Sequence, residues 1–123
     1  MNYNDINKLK VAELNKAVAL ADGWALDLNT IYQDSDIYGN PIELTDGWKH
    51  EKLGIIRRYL ENYRSGDLID RLAREAEIIP YRSCEGGYSI CVVPNGNPKF
   101  FQSESLTTAI LRAWLWYMQE VKL

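Results

Sequence analysis

The sequence has few of the residues that disulfide scaffolds and metal sites require. Its 123 residues include two cysteines, Cys84 and Cys91, and one histidine, His50. A single chain with this inventory can build neither a disulfide framework nor a four-thiolate zinc site, and it has no second histidine for a paired ligand set. We therefore expect free thiols, no metal and no cofactor.

Long apolar runs are also lacking. No stretch approaches the roughly 18 to 20 apolar residues that span a bilayer. Residues Met1 to Asp5 do not have the positive cluster and apolar segment of a secretion signal. We expect a cytoplasmic protein that does not bind membranes.

The sequence has no excess of basic residues, and its formal net charge is −3. Nucleic-acid binding is not expected, because neutralisation of phosphates supplies most of the affinity of such proteins. Hydrophobic residues make up 46% and charged residues 25% of the chain. These shares are typical of a packed globular protein, and the length predicts a single domain over residues 1–123.

Catalytic patterns are missing too. The carboxylate pairs Asp34/Asp36 and Asp67/Asp70 lie in turn and helix-cap sequences, which explains them without acid–base chemistry. Gly86 and Gly87 lack the surrounding residues of a phosphate-binding loop and are typical of a hairpin turn. We predict that the chain is not an enzyme.

Apolar residues at helical spacing predict four helices. The first covers residues 10–22, the second runs from Trp48 to Tyr63, and the third is capped by Asp67. The last begins near Leu106 and is capped by either Ser103 or Ser105.

Turn residues divide the segment from Glu77 to Gln102 into three strands. A two-residue turn at Gly86-Gly87 would place Arg82 opposite Cys91. Turn signals from Gln33 to Gly47 indicate a loop. The predicted fold is α+β, with a small antiparallel meander of three or four strands covered by helices in a sandwich-like αβα arrangement.

The last helix has apolar residues on a second stripe, which cannot face the same sheet as Ile110 and Trp114. Either the middle helices cover this stripe, or a second subunit or another protein does. We expect self-association through it, as a homodimer. The candidate interface residues are Leu111, Leu115, Trp116 and Met118.

The predicted loop from Gln33 to Gly47 is long for a compact domain and ends where a helix is expected to begin. Free N–H groups at that helix start would attract an anion. The candidate ligand-binding residues are Tyr38, Asn40, Trp48, Lys49, His50, Lys52 and Arg82. The structural alternative is that Trp48 anchors the loop to the core.

Two segments resemble a known family. Residues Lys8 to Trp24 are similar to the N-terminal helix of small bacteriophage and prophage proteins of the NinX-like type. Residues Leu106 to Ala113, after the strand Tyr88 to Val93, resemble the end of the related phage ABA sandwich domain. Between them, Lys49 to Glu75 is longer and more charged than the family pattern. The resemblance implies a phage accessory protein in the infected or lysogenic bacterium, and it carries over no catalytic residue.

Two functions remain open. The leading hypothesis is a non-enzymatic protein that binds a host or phage protein. The alternative is a small-ligand binder that sequesters a nucleotide-type molecule and so acts against a host defence signal. An enzyme is a distant third.

Overall fold

The computed structural model describes residues 1–27, 32–35, 37–44, 47–57, 60, 62–82 and 87–122. Side chains are not described at positions 27, 32–35, 42–44, 56, 79–82 and 122. The chain folds as two compact units. The helical unit comprises Met1–Ala21 and Asn62–Leu123, and the strand unit comprises Asp22–Glu61. The single domain expected from chain length stays a prediction.

Helices and strands together give an α+β fold. The described helices are α1 (Tyr3–Lys8), α2 (Val11–Ala21), α3 (Gly66–Glu75) and α4 (Leu106–Lys122). The described strands are β1 (Trp24–Asp27), β2 (Tyr32–Ser35), β3 (Pro41–Leu44), β4 (Gly47–His50), β5 (Ile56–Arg57), β6 (Ile79–Arg82), β7 (Tyr88–Val92) and β8 (Lys99–Ser103). The predicted class, with a small antiparallel sheet, is confirmed.

Helix α4 is the centre of the helical unit. It contacts β7 and β8 as well as α1, α2 and α3. Its side chains Leu111, Ala113 and Trp114 are fully buried. The indole N–H of Trp114 donates to Oε2 of Glu75 in α3 at 3.1 Å. Helix α4 is thus surrounded by other elements of this unit, as its apolar circumference requires.

The start of α4 is held by hydroxyl groups. The backbone N–H of Thr108 donates to Oγ of Ser105 at 3.3 Å, so Ser105 satisfies one of the N–H groups left free at a helix start. Arg64 donates to the Thr108 hydroxyl at 2.9 Å and to the Ser105 hydroxyl at 3.1 Å. Arg64 therefore ties the segment before α3 to the first turn of α4.

The three-strand meander is confirmed, with the order β6-β7-β8. Ile90 lies opposite Phe101, and both are fully buried together with Val92. Cys91 lies on the opposite face of β7 and is a buried free thiol. Alternation along β7 therefore divides its side chains between two buried faces.

The predicted register of the first hairpin is wrong. Cys91 pairs with Ile79 instead of Arg82, and Arg82 pairs with Tyr88. The connection is therefore longer than the two residues Gly86-Gly87. Gly87 lies against β8, because a Cβ atom at this position would be 3.1 Å from the Ser103 carbonyl oxygen. A glycine at this position permits a close backbone approach.

Two other predicted helices are present in the structure. The first, over residues 10–22, matches α2, and α1 was not predicted because its six residues are too few for a periodic pattern. The third helix exists as α3, but Ser65 is its N-cap residue. Asp67 lies in the first turn, where its negative charge is favourable.

The strand unit replaces a predicted loop and a predicted helix. Strands β1, β4 and β5 form one antiparallel sheet, and β2 and β3 form a second one. Most of the segment expected to be a loop from Gln33 to Gly47 is therefore the β2–β3 hairpin. A helix is expected from Trp48 to Tyr63, but the described residues of this segment are not helical. They form most of β4, a turn and β5.

The turn after β4 explains this difference. The N–H of Gly54 donates to the His50 carbonyl oxygen at 2.9 Å, and the N–H of His50 donates to the Ile55 carbonyl oxygen at 2.9 Å. Gly54 has a φ of 64°, a backbone conformation that glycine adopts easily and a helix interior does not contain. Pairing with β1 then stabilises β4 as a strand.

The second apolar stripe of α4 is largely covered within the chain. Leu111 is fully buried, and Leu115 is 2% exposed. The expectation that these two residues lie in an interface with another subunit is therefore wrong, because an interface residue must be accessible in the free chain. Trp116 and Met118 are half-buried. Formation of a homodimer stays a prediction.

The packing of α4 predicts the effect of a truncation. Leu115→Ala should lower the free energy of unfolding by about 2–5 kcal/mol, because it leaves a cavity in a closed core. Val121→Ala is the matched control on an exposed part of the same helix, and a change within about 0.5 kcal/mol is expected there. Urea denaturation at several protein concentrations measures both. A loss for Leu115→Ala that varies with protein concentration would indicate instead that a second subunit covers this residue.

Candidate functional site

The seven predicted ligand-binding residues belong to different elements of the structure. Tyr38 and Asn40 lie in the turn of the β2–β3 sheet, whereas Trp48, Lys49 and His50 belong to β4 in the other sheet. Lys52 lies in the exposed turn after β4. The side chain of Arg82 lies outside the described residues, and its backbone belongs to the helical unit. The expected helix start at Trp48 is a strand, so the predicted anion site there has no free N–H groups of a helix.

His50 is a buried residue whose ring contacts backbone groups. It is 5% exposed, and its Nε2 lies 2.8 Å from the Asp22 carbonyl oxygen. Its Nδ1 accepts a hydrogen bond from the backbone N–H of Leu53 at 3.2 Å. Because Nδ1 accepts, the ring proton is on Nε2 and is donated to Asp22. Both ring nitrogens are therefore occupied by backbone groups.

Two further contacts hold this ring. The Trp24 ring meets it edge to face, with centroids 5.2 Å apart. Gly23 has a φ of 113°, and a Cβ atom there would lie 3.1 Å from Nε2 of His50. Any larger residue at position 23 would strain the backbone and push against the imidazole. His50 thus connects the residues before β1 to the turn after β4.

The turn of the β2–β3 hairpin presents two apolar side chains to solvent. Ile37 is 91% exposed and Tyr38 is 82% exposed, the highest values among the large apolar residues of the described chain. Such turns usually contain glycine, asparagine or aspartate. Two adjacent exposed apolar residues therefore need an explanation other than turn formation.

A second candidate site lies in the helical unit, where α1, β8 and α4 meet. The Tyr3 ring lies 5.1 Å from the Phe101 ring and 5.9 Å from the Trp116 ring, in the second case edge to face. The Tyr3 hydroxyl donates to the Phe100 carbonyl oxygen. The Lys99 ammonium lies 5.1 Å from the centroid of Tyr3 and 5.6 Å from that of Trp116.

Two donors near these rings have no acceptor. The Nε atom of Arg112 and the Nε1 atom of Trp116 are both buried and have no hydrogen-bond partner. The two residues are one helical turn apart and so share a face of α4. No described carboxylate forms an ion pair with Arg112 or Lys99. In the sequence Trp116 belongs to an apolar stripe, and the spacing of Arg112 and Trp116 at i and i+4 is visible there. The sequence does not show that both donors are buried without an acceptor.

The described residues contain no group of three or more His, Cys, Asp or Glu side chains that could hold a metal ion. None of their helices has the length and apolar character needed to cross a membrane.

Comparison with known proteins identifies no relative: no family model, curated protein or solved structure matches the chain. The resemblance to small phage proteins stays a prediction.

The geometry around His50 predicts a loss of stability when its ring is removed. His50→Ala removes the hydrogen bonds that the ring makes with the Asp22 carbonyl and the Leu53 N–H, and should lower the free energy of unfolding by about 1–3 kcal/mol. Lys49→Ala changes the exposed neighbour in the same strand and should stay within about 0.5 kcal/mol of the parent. Chemical denaturation compares the two, and hydrogen exchange of the Leu53 amide reports the lost bond. Equal stability of both variants would show that His50 does not hold these segments.

Proposed function

We propose that this chain is a non-enzymatic accessory protein of a bacteriophage or prophage, which binds a host or phage protein in the bacterial cytoplasm. The observation that carries the binding role is the exposed pair Ile37 and Tyr38 at the tip of the β2–β3 hairpin. The phage assignment draws on the two sequence segments that resemble the NinX-like family.

The chemistry of this pair fits a protein partner with an apolar pocket. Tyrosine is enriched among the residues that dominate binding energy, because it buries a large ring and keeps a polar hydroxyl for a hydrogen bond. An adjacent isoleucine adds apolar area without a desolvation cost. These two side chains supply the anchor of an interface, and the strands beside them supply its rim.

The hairpin also offers backbone groups to a partner. Among the described residues, β2 and β3 pair only with each other. Each strand of such a sheet has an outer edge with N–H and C=O groups that a strand of another protein can join. A two-stranded sheet is marginal by itself and gains stability from such pairing.

A second candidate function is the binding of a nucleotide-type small ligand. It is favoured by a different observation, namely the unpaired donors of Arg112 and Trp116 together with the Lys99 ammonium near the Trp116 ring. Because this cluster lies in the helical unit and the hairpin lies in the strand unit, the two functions can be tested separately.

Site-specific crosslinking tests the protein-binding role. A photoreactive amino acid at position 38, introduced into the full chain in infected host cells, should give one discrete crosslinked product. The control position is Leu53, which is 65% exposed in the same unit but lies outside the hairpin. A photoreactive residue there should give no such product.

Substitutions complete the test. Ile37→Ser and Tyr38→Ser should each abolish capture of the crosslinked partner while the melting temperature stays nearly unchanged, because both side chains are exposed. The control variant Leu53→Ser should still capture the partner. Absence of any product from position 38, or equal products from positions 38 and 53, would contradict a partner site at the hairpin.

A further inference from the structure

Lys99 and Arg112 of the helical unit are both neighbours of Trp116, the first in space and the second along α4. The Lys99 ammonium lies 5.6 Å from the centroid of the Trp116 ring, and Arg112 lies one turn before Trp116 on α4. Of the described carboxylates, none pairs with either cation. A buried donor without an acceptor costs free energy, which is recovered when an acceptor is bound.

We propose that Lys99, Arg112 and Trp116 form a binding site for a phosphate dianion, as inorganic phosphate or as the phosphate of a nucleotide. The two cations match its charge of −2. Arg112 can present two N–H groups in parallel to two phosphate oxygens, and Lys99 acts as a point charge. The indole N–H of Trp116 donates to the remaining oxygen.

The site is accessible without unfolding. The Nε and Nε1 atoms are buried, but Lys99, Arg112 and Trp116 are each half-buried as residues. Binding requires the Lys99 side chain, which lies near the rings of Tyr3 and Trp116, to change its rotamer, and such changes are fast. The contact that Lys99 loses with the rings is weaker than the charge-assisted hydrogen bond that it gains.

The indole N–H groups provide a direct readout. The chain has four tryptophans, so an isotope-labelled full-length sample gives up to four indole Nε1–H signals in an NMR spectrum. Addition of inorganic phosphate at constant ionic strength should move the Trp116 signal. The Trp114 signal is the internal control, because this N–H already donates to Glu75.

Variants identify the charges that bind. Arg112→Gln and Lys99→Gln should each weaken the affinity for phosphate by about tenfold or more, since each removes a charged donor. Arg74→Gln changes an exposed arginine on α3 and should leave the affinity unchanged. If Arg112→Gln does not fold, Lys99→Gln and the phosphate titration of the parent protein still test the proposal.

Two further ligands test which molecule supplies the phosphate and whether the site requires a dianion. Adenosine monophosphate that binds more tightly than inorganic phosphate would support the same site and identify a nucleotide as its ligand. Acetate, a monoanion, should move the Trp116 signal little at the same ionic strength. A Trp116 signal that does not move with phosphate or adenosine monophosphate, or that moves equally with acetate, would overturn the proposal.

Discussion

Helix α4 carries apolar side chains on nearly its whole circumference, and the burial of this one helix organises the helical unit. The sheet covers it through β7 and β8, and α1, α2 and α3 cover its other sides. A polar contact adds to this packing, because the buried Trp114 indole donates a hydrogen bond to Glu75 on α3. Removing water from so large an apolar surface is the main favourable term in folding.

The parts of the fold that could be predicted are those where periodicity and turn residues agree. Helix α2, strands β6 to β8 and helix α4 all have both signals. In the strand unit, periodicity and turn residues disagree. The apolar residues from Trp48 to Tyr63 follow helical spacing. Yet Gly54 lies in a turn with positive φ, and β1 pairs with β4. Contacts between distant residues decide such segments, and a single sequence does not show them.

Candidate site residues could be predicted less well, because their roles depend on geometry. His50 looks exposed in a charged stretch of sequence, but two backbone groups, of Asp22 and Leu53, occupy its ring. Leu111 is predicted as an interface residue because the sequence does not show how many helices cover α4. For Ile37 and Tyr38, the turn residues around them are visible in the sequence, and Tyr38 is predicted there as a ligand-binding residue because it lies in a long loop. Lys99 and Tyr3 are 96 positions apart in the chain, so their meeting followed only from the fold.

The two units also differ in how their sequence is arranged, with a consequence for synthesis on the ribosome. The strand unit is one continuous segment, whereas the helical unit is made of residues from both sides of it. Helix α2 is translated early, but α4, on which it packs, is the last helix of the described chain to emerge. The strand unit can pair its strands during translation, while α1 and α2 must wait until α4 has been synthesised. Until then, the apolar face of α2 is a surface that chaperones can bind.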